Sequence, residues 1–182
     1  MPTGAGGTGG AADRFRCGPR LAMHFSHIMP RLSSKYFGEL DYTEDAVFRF
    51  PGGIPAFEDQ NEFVFLDQPH TGPLVFMQSL RDPDLCFLTV PVFVALPDFS
   101  LHLQPEDLGA LDLCPERQPR IGEEVLCLAL VTVSEGADPT ANLAAPIVLN
   151  LRNRSGLQAI QDCPDYACRH PLLAREEAVP CS

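Results

Sequence analysis

Between positions 47 and 90 the apolar residues come in short runs separated by turn formers. Val47 and Arg49 alternate with Phe48 and Phe50, the period-2 pattern of a half-buried strand. Phe63–Leu66, Leu74–Met77 and Leu85–Val90 follow as further strands, divided by clusters of Pro, Gly and Asp. Val92–Leu96 is held between Pro91 and Pro97 and reads as an edge strand or an extended loop. Val125–Val133, interrupted only by Thr132, has the two-sided apolar character of a strand covered on both faces. Only Pro105–Leu111 carries a helix signature. A proline opens it, Glu106 and Asp107 stand where the helix dipole is positive, and Leu108 and Leu111 recur at i, i+3. One short helix among so many strands predicts an all-β sandwich or barrel.

Two segments stand out from this pattern. In Thr140–Ile147, Asn142 can bond its own backbone in a tight turn, and Pro146 stops any helix before the β-rich run Ile147–Leu151. Its polar groups either satisfy the backbone at a strand end or belong to a recognition face. In Phe50–Glu58, Gly52 or Gly53 suits a turn residue with positive φ. The same loop also has the makings of a rigid apolar anchor, Ile54-Pro55-Ala56-Phe57, with Ile54 the better interface residue and Phe57 partly core.

Charge divides the chain. Residues 1–35 hold five Lys/Arg and one acid, whereas residues 36–182 hold eight Lys/Arg and twenty-three acids, a net of −15. So acidic a domain repels nucleic acid and steers towards basic partners. The glycine-rich segment 1–34 reads as a disordered or mis-called N-terminal extension, with Met23 or Met29 the expected start. Residues 35–175 form the single domain and 176–182 a C-terminal tail.

Seven cysteines at irregular spacing, with no signal peptide and no apolar run near the ~20 residues of a membrane span, point to reduced thiols in the cytoplasm. Cys163, Cys168, His170 and Cys181 lack a C-x2-C knuckle, so no metal or other cofactor is expected. The competing chemistry is a small cysteine-dependent hydrolase or thiol redox protein using Cys163, Cys168 and His170, the last two sharing a strand face. Without an oxyanion-hole, P-loop or dinucleotide motif, an enzyme is not the reading adopted. Tyr166–Leu172 reads instead as a closing segment that packs Leu172 and Leu173 onto the domain.

Four segments in register, Tyr36-Phe37-Gly38-Glu39-Leu40, Phe50–Glu58, Thr140–Asn150 and Arg169-His170-Pro171-Leu172, resemble the flagellar assembly factor FliW family over roughly Tyr36 to Leu173. The resemblance implies a compact β-barrel-like single domain with one or two short helices. It implies a non-catalytic monomer with two protein partners, flagellin and the translational regulator CsrA, without direct contact to RNA or membrane. Gly53, Ile54, Pro55, Phe57, Asn142, Leu143 and Pro146 are the partner-binding candidates on these motifs. The family usually carries glycine at the position of Ala56, which suggests that this position does not need positive φ here.

Overall fold

The computed structural model describes residues 29–172. Ten strands and two short helices follow in the order β1 (Arg31–Ser34), β2 (Gly38–Asp41), β3 (Val47–Arg49), β4 (Glu62–Asp67), β5 (Val75–Ser79), β6 (Cys86–Pro91), α1 (Val92–Ala95), α2 (Pro105–Ala110), β7 (Val125–Ser134), β8 (Ala137–Asn150), β9 (Gly156–Gln158) and β10 (His170–Pro171). Strands β3 to β8 form an antiparallel sheet in sequence order, with β9 and β10 both added to β8. Ser155 bridges to Arg49 beside the opposite edge strand, so the sheet nearly closes into a barrel. The closure is tight, because a side chain at Gly156 would come within 2.5 Å of the Phe50 ring. The all-β, barrel-like architecture expected from the pattern is the one observed.

Of three apolar clusters, the two larger lie on either side of the curved sheet, and a small third, Leu32, Val47 and Val64, ties the β1–β2 hairpin to β3 and β4. Phe48, Phe50, Ile54, Phe63, Met77, Leu128, Ile147 and Leu149 fill one of the larger two. Val90, Val92, Leu103, Leu108, Leu111, Val125, Cys127 and Leu143 are among those filling the other, beneath the helices. Leu108 and Leu111 both point into this second core, as the i, i+3 spacing predicts.

Several expectations change. Residues 31–34, assigned to the tail, form β1 and pair with β2. Leu32 is buried, and the Ser34 hydroxyl donates to buried Gln78 at 2.7 Å. The glycines at 4–10 dominated that reading, whereas the ordered hairpin begins only after them. Residues 1–28 and 173–182, Leu173 and the expected C-terminal tail included, lie outside the described residues. Val92–Leu96 is a single helical turn, not an edge strand or loop. Pro91 lacks the N–H that a first turn leaves free, Leu96 N–H closes on Val92 O at 2.9 Å, and Val92 is wholly buried. Burial overrides the low helix propensity of valine. In β7 only the first half is largely covered, and Val133 at the far end is 64% exposed.

Thr140–Ile147 does not turn into a strand but lies within one. β8 runs unbroken through it, yet Leu128 pairs with Ile147 and Leu130 with Asn142. Four residues, Leu143 to Pro146, therefore stand opposite Ala129 alone, an enlarged β-bulge. Asn142 does make the local bond expected of it, accepting from Ala145 N–H at 3.1 Å. The chain after β9 takes up the other exposed groups. Leu143 N–H bonds Ala167 O, Gln161 N–H bonds Ala144 O, and Ala159 N–H bonds Pro146 O, at 2.8–3.0 Å. Proline is tolerated at position 146 because a bulge needs no ladder donor there.

Asn142→Ala is expected to lower stability by about 1 kcal/mol, the worth of one part-buried hydrogen bond, in urea unfolding monitored by circular dichroism. An unchanged midpoint would mean that the 158–167 segment holds the bulge alone.

Candidate partner-binding site

The seven expected contact residues fall in two places. Gly53, Ile54, Pro55 and Phe57 lie on the β3–β4 loop, and Asn142, Leu143 and Pro146 lie in the β8 bulge. Leu143 and Pro146 are buried and Asn142 is half-buried, its side chain engaged with its own backbone. This trio builds the bulge, and of the three only Asn142 is partly exposed.

The β3–β4 loop is a tight hairpin. Phe57 N–H bonds Ile54 O at 2.6 Å, and Ile54 N–H returns to Phe57 O at 3.4 Å. Gly53 takes φ +67°, and a Cβ there would meet Glu58 Cα at 2.5 Å, so only glycine fits. Ala56 also takes positive φ, at 70°, contrary to the expectation that it would not need to. The glutamate two residues on helps to hold it there, accepting from Ala56 N–H at 3.0 Å. Arg81 braces the far side by donating to Asp59 O at 2.8 Å.

The two apolar side chains of this loop exchange the roles assigned to them. Ile54 is 2% exposed and belongs to the core with Phe50 and Phe63. Phe57 is 37% exposed and rests edge-on against Phe87 with ring centres 5.2 Å apart. Pro55 and Ala56 are exposed beside it. The surface available to a partner is therefore Pro55-Ala56-Phe57, with Ile54 and Gly53 as its foundation.

A second apolar surface was not anticipated. A groove of about 340 Å³ runs between β6, α1 and the outer ends of β7 and β8, lined by Leu74, Leu88, Val94, Val131, Val133 and Leu172 among others. Its signal was present in the sequence, in the valines at 131 and 133 and in the apolar run between Pro91 and Pro97. Both were read as buried or extended segments, so the exposure of Val94 and Val133 was missed.

Among the described residues, the expected pairing of Cys168 with His170 on one strand face is not formed. Cys168 sits in a turn ahead of β10, so it does not share a strand face with His170. Burial pushes the Cys127 thiol up to about 12 and the Cys86 thiol up to about 11, which keeps both protonated at neutral pH. Among the described residues no group of three or more His, Cys, Asp or Glu is placed to hold a metal ion. No helix among them is long and apolar enough to cross a membrane.

The pattern that defines the FliW protein family matches residues 31–172, nearly the whole described domain. The chain belongs to the FliW family. It is 34% identical over 149 residues to the flagellar assembly factor FliW of Syntrophomonas wolfei, covering 81% of this chain and 92% of that one. With the flagellar assembly factor FliW of Desulfitobacterium hafniense strain DSM 10664 / DCB-2 it shares 37% over 149 residues, covering 81% and 94%. A crystal structure of the flagellar assembly factor FliW superposes with a TM-score of 0.70 at 32% identity, over 81% of this chain and 99% of the other. The FliW family match begins at β1, which agrees with the hairpin being part of the domain.

Two sets of variants test the loop. Ala56→Gly should raise stability by up to about 1 kcal/mol, since it relieves a left-handed alanine, while Gly53→Ala should destabilise by at least about 2 kcal/mol. Thermal or denaturant unfolding reads both. Ile54→Ala should cost about 2–5 kcal/mol of stability and leave the affinity of the folded fraction intact. Phe57→Ala should instead weaken partner binding by about 1–3 kcal/mol with a smaller loss of stability. Measuring unfolding and affinity on the same two proteins separates core from contact.

Proposed function

We propose that this protein is a non-catalytic flagellar assembly factor of the cytoplasm that binds flagellin and antagonises CsrA, coupling flagellin synthesis to secretion. Membership of the FliW family carries the reading, with 34–37% identity to flagellar assembly factors over most of their length. In this scheme the protein holds CsrA away from the flagellin transcript, and newly made flagellin draws it off again. The exposed tip Pro55-Ala56-Phe57 supplies an apolar anchor on a loop whose conformation is fixed by Gly53 and the paired backbone bonds. Such an anchor loses little entropy on binding.

Charge supports the same reading. The domain from residue 36 onward has a net charge of −15, which favours encounter with a basic RNA-binding protein and opposes contact with RNA itself. Every ion pair found among the described residues lies at the surface, so much of the remaining acidity faces outward. Glu124 is spoken for by Arg117, whose guanidinium grips it at 2.7 Å through both nitrogens and holds its carboxyl down to about 2.

A three-component titration with labelled flagellin leader RNA tests the proposal. The protein should release RNA from CsrA, and added flagellin should restore the CsrA–RNA complex. Raising salt should slow association with CsrA more than it speeds dissociation, because exposed charges act chiefly on the on-rate. CsrA–RNA binding that is unchanged at every concentration, or direct binding of the RNA by this protein, would sink the reading.

A further inference from the structure

The geometry points to the groove between β6, α1 and the β7–β8 arm as a second docking surface, one that takes the apolar face of an amphipathic helix with basic flanks. The inference rests on the reading that this protein works by protein–protein contact, and it places that contact away from the Phe57 tip. The groove is about 340 Å³. Leu88, Val90 and Val131 form its floor on the sheet, while Val94 at 44% and Val133 at 64% exposure stand at its walls. Single exposed apolar side chains need no explanation, but two valines facing a common apolar floor form a continuous patch of the kind that marks an interface.

The form of the occupant follows from the groove's edges. A partner strand would have to extend the sheet beyond β10, the end strand beside the groove. That strand is only His170–Pro171, and its second residue has no N–H to give. Two further prolines, Pro73 and Pro139, occupy the groove's margins and likewise offer no donor. An edge this short and this poor in donors is blunted against strand addition. Docking by side chains alone is left, which is how an amphipathic helix sits in a groove, with anchors at i, i+3, i+4 and i+7.

The charge of the flanks follows from the rim. Exposed Asp67 is paired across from Val75, next to Leu74 of the lining. Exposed Asp98 follows α1 by three residues, and exposed Glu135 occupies the β7–β8 turn two residues after Val133. Against these three acids stand Arg169, His70 and His170. The acids on β4, after α1 and in the β7–β8 turn favour a cationic border on the partner.

The test uses the full chain and three synthetic 18-residue peptides with fluorescent labels. One has Leu and Lys at helical spacing, one has the same composition in strict alternation, and one has Leu and Glu at helical spacing. The helical Leu/Lys peptide should bind at least tenfold more tightly than either of the others. Val133→Asp and Val94→Asp should each reduce its affinity at least tenfold, while Ile160→Ala, at an exposed apolar position outside the groove lining, leaves it unchanged. Thermal unfolding confirms that the variants are folded, and Val133→Thr serves where aspartate proves too disruptive. Equal or tighter binding by the alternating peptide would overturn the helical occupant, and equal binding by the acidic peptide would overturn the charge argument. Absence of binding, as expected if residues 173–182 or a second copy of the chain fills the groove, would overturn the proposal. Because no flagellin, CsrA or RNA enters this assay, its failure is distinct from failure of the three-component titration.

Discussion

The enlarged bulge in β8 is the constraint on which the rest of the structure depends. A single fourteen-residue strand has to pair with β7, β9 and β10 and supply side chains to both cores. Before the bulge Ala141 and within it Leu143 fill the core beneath the helices, and after it Ile147 and Leu149 fill the opposite one. Four residues against one displace the ladder by three positions, which a regular antiparallel pair does not permit. The same irregularity leaves backbone groups unpaired, and the chain from Gln158 to Ala167 bonds to them. The C-terminal closing segment is thus organised by the bulge. Its far end is tied down independently, where Tyr166 stacks on Phe99 at 4.6 Å and its hydroxyl accepts from Ser100 N–H and donates to Ser100 O.

Bending at the bulge also explains why β7 is covered in its first half and exposed in its second. The β7–β8 pair crosses the barrel wall as far as Leu130, the last β7 residue paired with β6, then continues as an arm. Side chains that would be interior in a straight strand, Val131 and Val133, line a groove instead. Exposure of apolar residues here follows from a packing requirement elsewhere in the same strand.

Much of this was legible in the sequence because the period-2 runs, the Pro-Glu-Asp helix start and the turn formers act locally. The parts that were not legible depend on a distant partner. Asn142 and Pro146 signal a local reversal correctly, but a turn between strands and a bulge within one use the same side-chain bond, and only the pairing of β7 with both sides distinguishes them. Pro91 and Pro97 bracket an extended segment or a helical turn equally well, and the burial of Val92 decided it. In the β3–β4 loop, Ile54 and Phe57 face each other across one hairpin, so composition cannot assign which enters the core. The close approach of Gly53 to Glu58 fixes that choice, and Ala56 accepts a left-handed backbone as its consequence. Family resemblance missed the conformation of this loop's one atypical residue, Ala56.

Stability and recognition draw on different groups in this domain. The cores are apolar, and the buried amides are fully engaged. Gln78 donates to Ser79 O and Leu85 O, and Asn150 donates to Leu111 O. Among the described residues no buried side-chain nitrogen or oxygen lacks a partner. The ion pairs, by contrast, lie in solvent, where screening leaves each with little to contribute. Net negative charge therefore does little to hold the fold and opposes compaction slightly through self-repulsion. Its effect is felt outside the molecule, on the rate at which oppositely charged surfaces arrive. On the proposed reading, apolar contact at the Phe57 tip or in the groove then governs how long they stay. A domain arranged this way can change its acidic surface, and with it the speed and choice of partner, while β8 and the two cores remain as they are.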